Sequence, residues 1–216
     1  MIAHISAILY IISTTEQPLP KKTLQKGIAA CKTNSNGDFL TLKYTLWLPN
    51  TINDDDDNYI EKIHQETTYF TTGKFTILPD KTLELVISSC KTLPITKEAI
   101  PTCKPLICLL GKVKESCNTT TSGYHMILEV TPYLSADMCA PIDVVLTHPP
   151  EGRLKNTFTA ARKYSTIHCN GELYVIEGQL YCDVIEIQFV SAKSEPTTPS
   201  NIPWKTNNSE SKSKAE

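Results

Sequence analysis

Neither sign of charge dominates this chain of 216 residues: 21 are basic and 23 acidic, for a formal net charge of −2 and a pI near 6.2. That balance argues against a protein that coats duplex DNA by charge alone, which needs a strong basic excess. Arginine is nearly absent, with Arg153 and Arg162 the only two. No G-x-S-x-G, P-loop or H-E-x-x-H occurs, and the five histidines are scattered, so catalysis finds no support and the expectation is a non-enzyme. No C-x-x-C occurs either. Cys103, Cys108, Cys117 and His125 match no common zinc spacing, and no metal or other cofactor is expected.

Long apolar runs are missing too. The N-terminal "MIAHISAILYIIS" is too short for a bilayer span, which takes about 20 residues. It lacks the preceding basic residues of a secretory signal, so it reads as a strand or a packed arm. The eight cysteines mostly sit in apolar, strand-like runs such as "LICLL" and "YCDVIEI", where a free thiol acts as a small hydrophobe. An intracellular place, nucleus or cytoplasm, follows from that expectation, with secretion less favoured. The glycosylation-like triplets at Asn118 and Asn207 carry no weight in such a protein.

What is present is alternation. In "FLTLKYTLWLP", Leu40, Leu42, Tyr44, Leu46 and Leu48 share one face, and Phe39, Thr41, Lys43, Thr45 and Trp47 the other. Asn36-Gly37 marks a turn from a preceding strand, "GIAACKT". Asp54 to Asp57 are placed to start a short helix with Ile60 and Ile63 facing inward. "TTYFTTGKFTILPDKTLELVISS" reads as a hairpin, with a bend at Gly73 and a turn at Pro79-Asp80-Lys81.

The plan then restarts. "LICLLGKVKE", "YHMILEVTPYL" and "IDVVLTH" read as three strands. "PEGRLKNTFTAARKY" reads as a helix, with Leu154, Phe158 and Ala161 on one side. A second hairpin follows, with Gly171 in the place of Gly73 and Glu177-Gly178 at the turn. The first copy shows no clear third strand. The expected boundaries are an arm or strand at 1–21, one unit at 22–93, a proline-bearing linker at 94–105, a second unit at 106–191 and a disordered tail at 192–216.

Five strands with a helix between the third and fourth is the element order of an OB-fold, a Greek-key barrel. The fold class is therefore all-β, with one short helix per copy: two OB-like five-stranded barrels in tandem plus a disordered tail. The order resembles that of tandem OB-fold proteins of the replication protein A and telomere-binding type, over roughly residues 22 to 191. The sequence also looks like a lineage-expanded group of fungal proteins. The first resemblance implies binding of single-stranded DNA or RNA.

Such binding needs aromatic faces for bases and cations for phosphates. Phe39, Lys43 and Trp47 supply both on one strand face, and Lys74 stands on the neighbouring hairpin. They form the expected nucleic-acid site. A plainer reading packs Phe39 and Trp47 against the N-terminal arm or the other copy and leaves Lys43 solvated. The alternative function, favoured by the near-neutral charge and Glu129, is a protein-interaction or scaffold module without nucleic-acid binding. A second basic group, Arg153, Lys155, Arg162 and Lys163, falls on the expected helix, with Lys155 and Arg162 two turns apart on one face. The matching region of the first copy is acidic, Asp54 to Asp57. Head-to-tail docking or self-association through these opposite charges competes with nucleic acid as their use. Glu129 on a strand face of the second copy is unhelpful beside phosphate, so the first copy is the expected reader.

Overall fold

The computed structural model describes residues 2–34, 37–49, 60–134 and 139–190, and the expected tail and the Asp54–Asp57 run fall outside them. The strands are β1 (Ile2–Pro18), β2 (Lys22–Lys32), β3 (Phe39–Pro49), β4 (Thr68–Ile77) and β5 (Leu83–Thr92). They continue with β6 (Leu106–Thr120), β7 (Gly123–Val130), β8 (Ile142–His148), β9 (Thr166–Ile176) and β10 (Gln179–Phe189). A helix, α1 (Lys155–Ala160), lies between β8 and β9. No described helix is long and apolar enough to cross a membrane.

Two rings close. The first runs β1-β2-β3-β5-β4 and back to β1, and the second runs β6-β7-β8-β10-β9 and back to β6. In each, the third and fifth strands pair in parallel and all other neighbours antiparallel. This is the Greek-key order of the OB-fold, and closure leaves no long open sheet edge in either barrel.

The N-terminal run is strand β1, and it corrects the reading that the first barrel lacks a clear third strand. The strand hard to place was the first one. Ala3, Ile5, Ala7, Leu9 and Ile11 point inward and are buried, a period-two pattern hidden by equally apolar outward residues such as Ile2 and Ile8. The expected "GIAACKT" strand also begins earlier, at Lys22.

The rings share a joint. Strand β1 pairs antiparallel with β6 over Ile2–Ser6, with Ile5 opposite Ile107. Ile5 also faces Gly73 of β4, and Ile107 faces Gly171 of β9. A single row therefore reads Gly73, Ile5, Ile107, Gly171. Each glycine sits where the fifth strand bulges, at Ser88 in one barrel and Ile185 in the other. A methyl on Gly73 would strike the carbonyl oxygen of Val86, and one on Gly171 that of Asp183. The bend expected at these glycines is thus a close approach of backbones.

The barrel ends are plugged differently. In the second barrel Leu154, Phe158 and Ala161 are buried, as the helical spacing predicts, but α1 has only six residues. Its N-cap position is Leu154, which offers no side-chain cap, and threonines at 157 and 159 disfavour longer helix. Ala161 is already extended, so Arg162 and Lys163 lie beyond the helix and share no helix face with Lys155. In the first barrel the described residues after Ile60 are not helical. The buried side chain of Gln25 donates to the Ile63 carbonyl at 3.0 Å and accepts from the Ile63 amide at 3.0 Å. Those two groups are the ones a helix would bond internally, and Ile63 is held fully buried outside any helix or strand.

Candidate nucleic-acid interface

In an OB-fold the second and third strands, with the loops between strands one–two and four–five, form the face that takes oligonucleotides. In the first barrel that face is β2 and β3. Register places Lys22, Leu24, Lys26, Ile28, Ala30 and Lys32 opposite Pro49, Trp47, Thr45, Lys43, Thr41 and Phe39. Residues directly opposite share a face, so lysines and aromatics interleave on the outside, while Leu42, Tyr44, Leu46 and Leu48 fill the core.

Phe39 is 65% exposed and Trp47 39%. Lys43 lies between them on the same strand, about 13 Å from each at 3.3 Å per residue. The ammonium of Lys22 sits 3.7 Å from the Trp47 ring centroid, a cation–π contact that fixes the indole. Behind the indole, Leu24 is buried on the outer face and stands apart from the core cluster. Ile28, 40% exposed, adds apolar surface beside Lys43.

Lys43 is not free. Its ammonium donates to the Asp80 carboxylate at 3.0 Å, which ties the face to the β4–β5 turn. The amide of Thr82 and then Lys43 hold the Asp80 carboxyl down at about 2. Lys81, beside it at φ 65°, donates to the Glu177 carbonyl of the β9–β10 turn at 3.2 Å, so the two hairpin tips touch.

Lys74 lies on the outer face of β4, with β5 between it and β3, in register with Thr45 through Val86. Its ammonium is 5.0 Å from the Tyr133 ring centroid. The second basic group does not gather. Arg153 donates to the Ile185 carbonyl, Arg162 caps the Thr159 carbonyl at 3.2 Å, and Lys163 lies beside the exposed Tyr164 ring at 5.3 Å.

The motif reading missed Lys22, Lys26, Ile28 and Lys32. Their signal was in "KTLQKGIAACK", where the lysines fall on even spacings. It also missed Tyr174 and Tyr181, which face each other across β9 and β10 with ring centroids 5.1 Å apart and planes within 14°.

All eight cysteines are free thiols. Cys31, Cys90, Cys169 and Cys182 are buried, and Cys103 is exposed. Burial pushes Cys31 up to about 12 and raises Cys90. The hydrogen bond that the Cys182 thiol shares with Cys169, together with burial, raises Cys182. The buried four pack as small hydrophobes. Cys108 lies 3.1 Å from the Nε2 of His168, yet burial raises this thiol too. Among the described residues no cluster of three or more His, Cys, Asp or Glu could hold a metal ion.

No protein-family model and no curated protein matches the chain. Among solved structures it is similar to the single-stranded DNA binding protein from Thermus aquaticus. The wild-type protein gives a TM-score of 0.55 at 11% identity, covering 91% of this chain and 97% of that one. A deletion mutant of the same protein gives 0.53 at 10% identity, covering 91% and 98%. The likeness is one of fold. It spans both barrels and agrees with the OB-fold that element order suggested.

Proposed function

We propose that the protein is a single-stranded nucleic-acid-binding module whose reading face is β2–β3 of the first barrel. The observation that carries this is the interleaving there of Phe39 and Trp47 with Lys22, Lys26, Lys32 and Lys43, with no carboxylate on either strand. Stacked bases take the exposed ring faces, and each contributes about 1–3 kcal/mol. The lysines neutralise phosphates in between, with Lys74 as an outlying cation. The fold likeness to a protein named for binding single-stranded DNA supports the same reading. Duplex DNA fits the face poorly, since stacking on Phe39 and Trp47 needs unpaired bases.

One observation favours a second reading, a protein-interaction module. Lys43 is already paired with Asp80, and Trp47 with Lys22. A protein partner or a second copy then covers the face.

Fluorescence anisotropy of labelled single-stranded DNA and RNA, at low and moderate salt, decides between them. Trp47→Ala is expected to weaken binding about 5- to 150-fold. Lys43→Glu is expected to flatten the salt dependence by about 0.7 in log–log slope. Absence of binding to either polymer at low salt sinks the nucleic-acid reading, and self-association on a sizing column then supports the second.

A further inference from the structure

The strand face of the first barrel does not stop at Phe39. A cleft of about 480 Å³ opens there, lined by Thr33, Gly37, Asp38 and Phe39 of the first barrel and by Tyr174 and Val175 of the second. Tyr174 also lines a second cavity of about 410 Å³ on the outer face of the second barrel, with His125, Thr147, Tyr181 and Asp183. One tyrosine is thus common to both cavities. Its ring is stacked on Tyr181, its hydroxyl lies 3.3 Å from Thr147 Oγ1, and the Lys104 ammonium lies 5.8 Å from its centroid.

We propose that the bound single strand crosses the joint between the barrels, with bases passing from Phe39 to the Tyr174–Tyr181 pair, so that the two barrels form one binding track. This rests on the single-strand reading of the β2–β3 face and extends it to the second barrel.

Three features support the crossing. The first is continuity of π-faces: Trp47 and Phe39 on β3, then Tyr174 across the cleft, then Tyr181. Every base has a π-face, so a series of rings accepts a strand of any sequence. The second is charge at the crossing. Lys32 is directly opposite Phe39 and Lys104 is beside Tyr174, so each ring that lines the cleft has a cation near it, while Asp38 is the one carboxylate among the described residues of its lining. Lys104 is paired with Glu172 at 2.9 Å, and Lys32 donates to the Ile100 carbonyl at 3.3 Å, so both cations are held in place. The third is rigidity. Strand β1 pairs with β6, the Cys103 amide donates to the Lys32 carbonyl at 3.0 Å, and Lys81 holds Glu177 at the far tip. A track whose halves are already fixed loses little freedom when a strand binds across it.

The test compares short and long oligothymidylates on the full chain. One OB-fold covers about 4–16 nucleotides, so lengths of about 6 and about 25 separate a strand confined to one barrel from one that reaches both. Tyr174→Ala is expected to weaken the long oligonucleotide about 5- to 150-fold and leave the short one unchanged. Tyr174→Phe, which keeps the ring, is expected to behave as wild type at both lengths. Equal loss at both lengths, or no loss at either, overturns the crossing while the β2–β3 reading stands. No binding of wild type at either length fails both. Should Tyr174→Ala not fold, photo-crosslinking of wild type to oligonucleotides carrying 5-iodouracil decides the point. Adducts at Tyr174 or Tyr181 with the long strand alone are expected, and adducts confined to the first barrel overturn the proposal.

Discussion

The two barrels share one plan and differ in the charge they present. Register makes the positions comparable. Lys43 of β3 corresponds to Val145 of β8, Thr41 to Asp143, and Ala30 of β2 to Glu129 of β7. Strands β2 and β3 carry four lysines and no carboxylate, whereas β7 and β8 carry Glu129 and Asp143 and no lysine. Two of three inward positions keep their apolar character, Leu42 and Tyr44 matching Val144 and Leu146, while Leu46 is matched by the buried His148. The core fixes an OB barrel, and the outward half of the same strands is left free to differ. One fold can thus carry basic side chains on the outer face of one strand pair and acidic ones on the other.

Charge reversal should break this contrast most. Lys26→Glu with Lys43→Glu gives the first barrel the sign of the second. Loss of two phosphate contacts is expected to weaken single-strand binding by at least about 25-fold near 0.1 M salt and to flatten the salt slope by about 1.4. An anisotropy titration against salt measures both. Unchanged affinity would mean that β2–β3 is not the reading face.

A smaller effect, on stability, tests whether the barrels are equivalent where they look alike. Gly73→Ala and Gly171→Ala each push a methyl onto a carbonyl oxygen of the fifth strand. Each is expected to cost about 1–3 kcal/mol, read from urea midpoints. A loss at one site alone would show that the bulge opposite the other can relax.

The smallest effect sharpens the contrast. Asp80→Asn removes the partner of Lys43 while keeping an acceptor for the Thr82 amide. Exposed ion pairs are worth about 0.2–1 kcal/mol, so single-strand affinity is expected to rise about 1.5- to 5-fold. A fall would mean that Asp80 positions Lys43 for its work.

Much of this was legible in the chain. The β3 alternation, the paired glycines at 73 and 171, and the strand order of the second barrel all follow from period-two patterning and turn residues. Phe39, Lys43 and Trp47 do share an exposed face. What escaped depends on contacts between distant segments. Strand β1 reads as apolar on both sides because one of its edges is split between β2 and β6, and local pattern cannot say what an outward Ile2 or Ile8 meets. At Ile63, inside the expected helix, the backbone bonds instead to Gln25, far away in sequence. Lys22 and Lys26 join the site only through the β2–β3 register. Tyr174 and Phe39 line one cleft through ties between distant segments, β1 with β6, Cys103 with Lys32 and Lys81 with Glu177.

Strand β1 has a consequence for how the protein is made. Its first half leaves the ribosome well ahead of β4 and β6, the partners that satisfy its backbone over Ile2–Tyr10. Until both have emerged, an alternating apolar strand waits with hydrogen-bonding groups unpaired. Pairings between segments this far apart form slowly, because a long loop must close before they are rewarded. During synthesis, therefore, the segment that later joins the two barrels is the one most open to aggregation and most suited to capture by a chaperone.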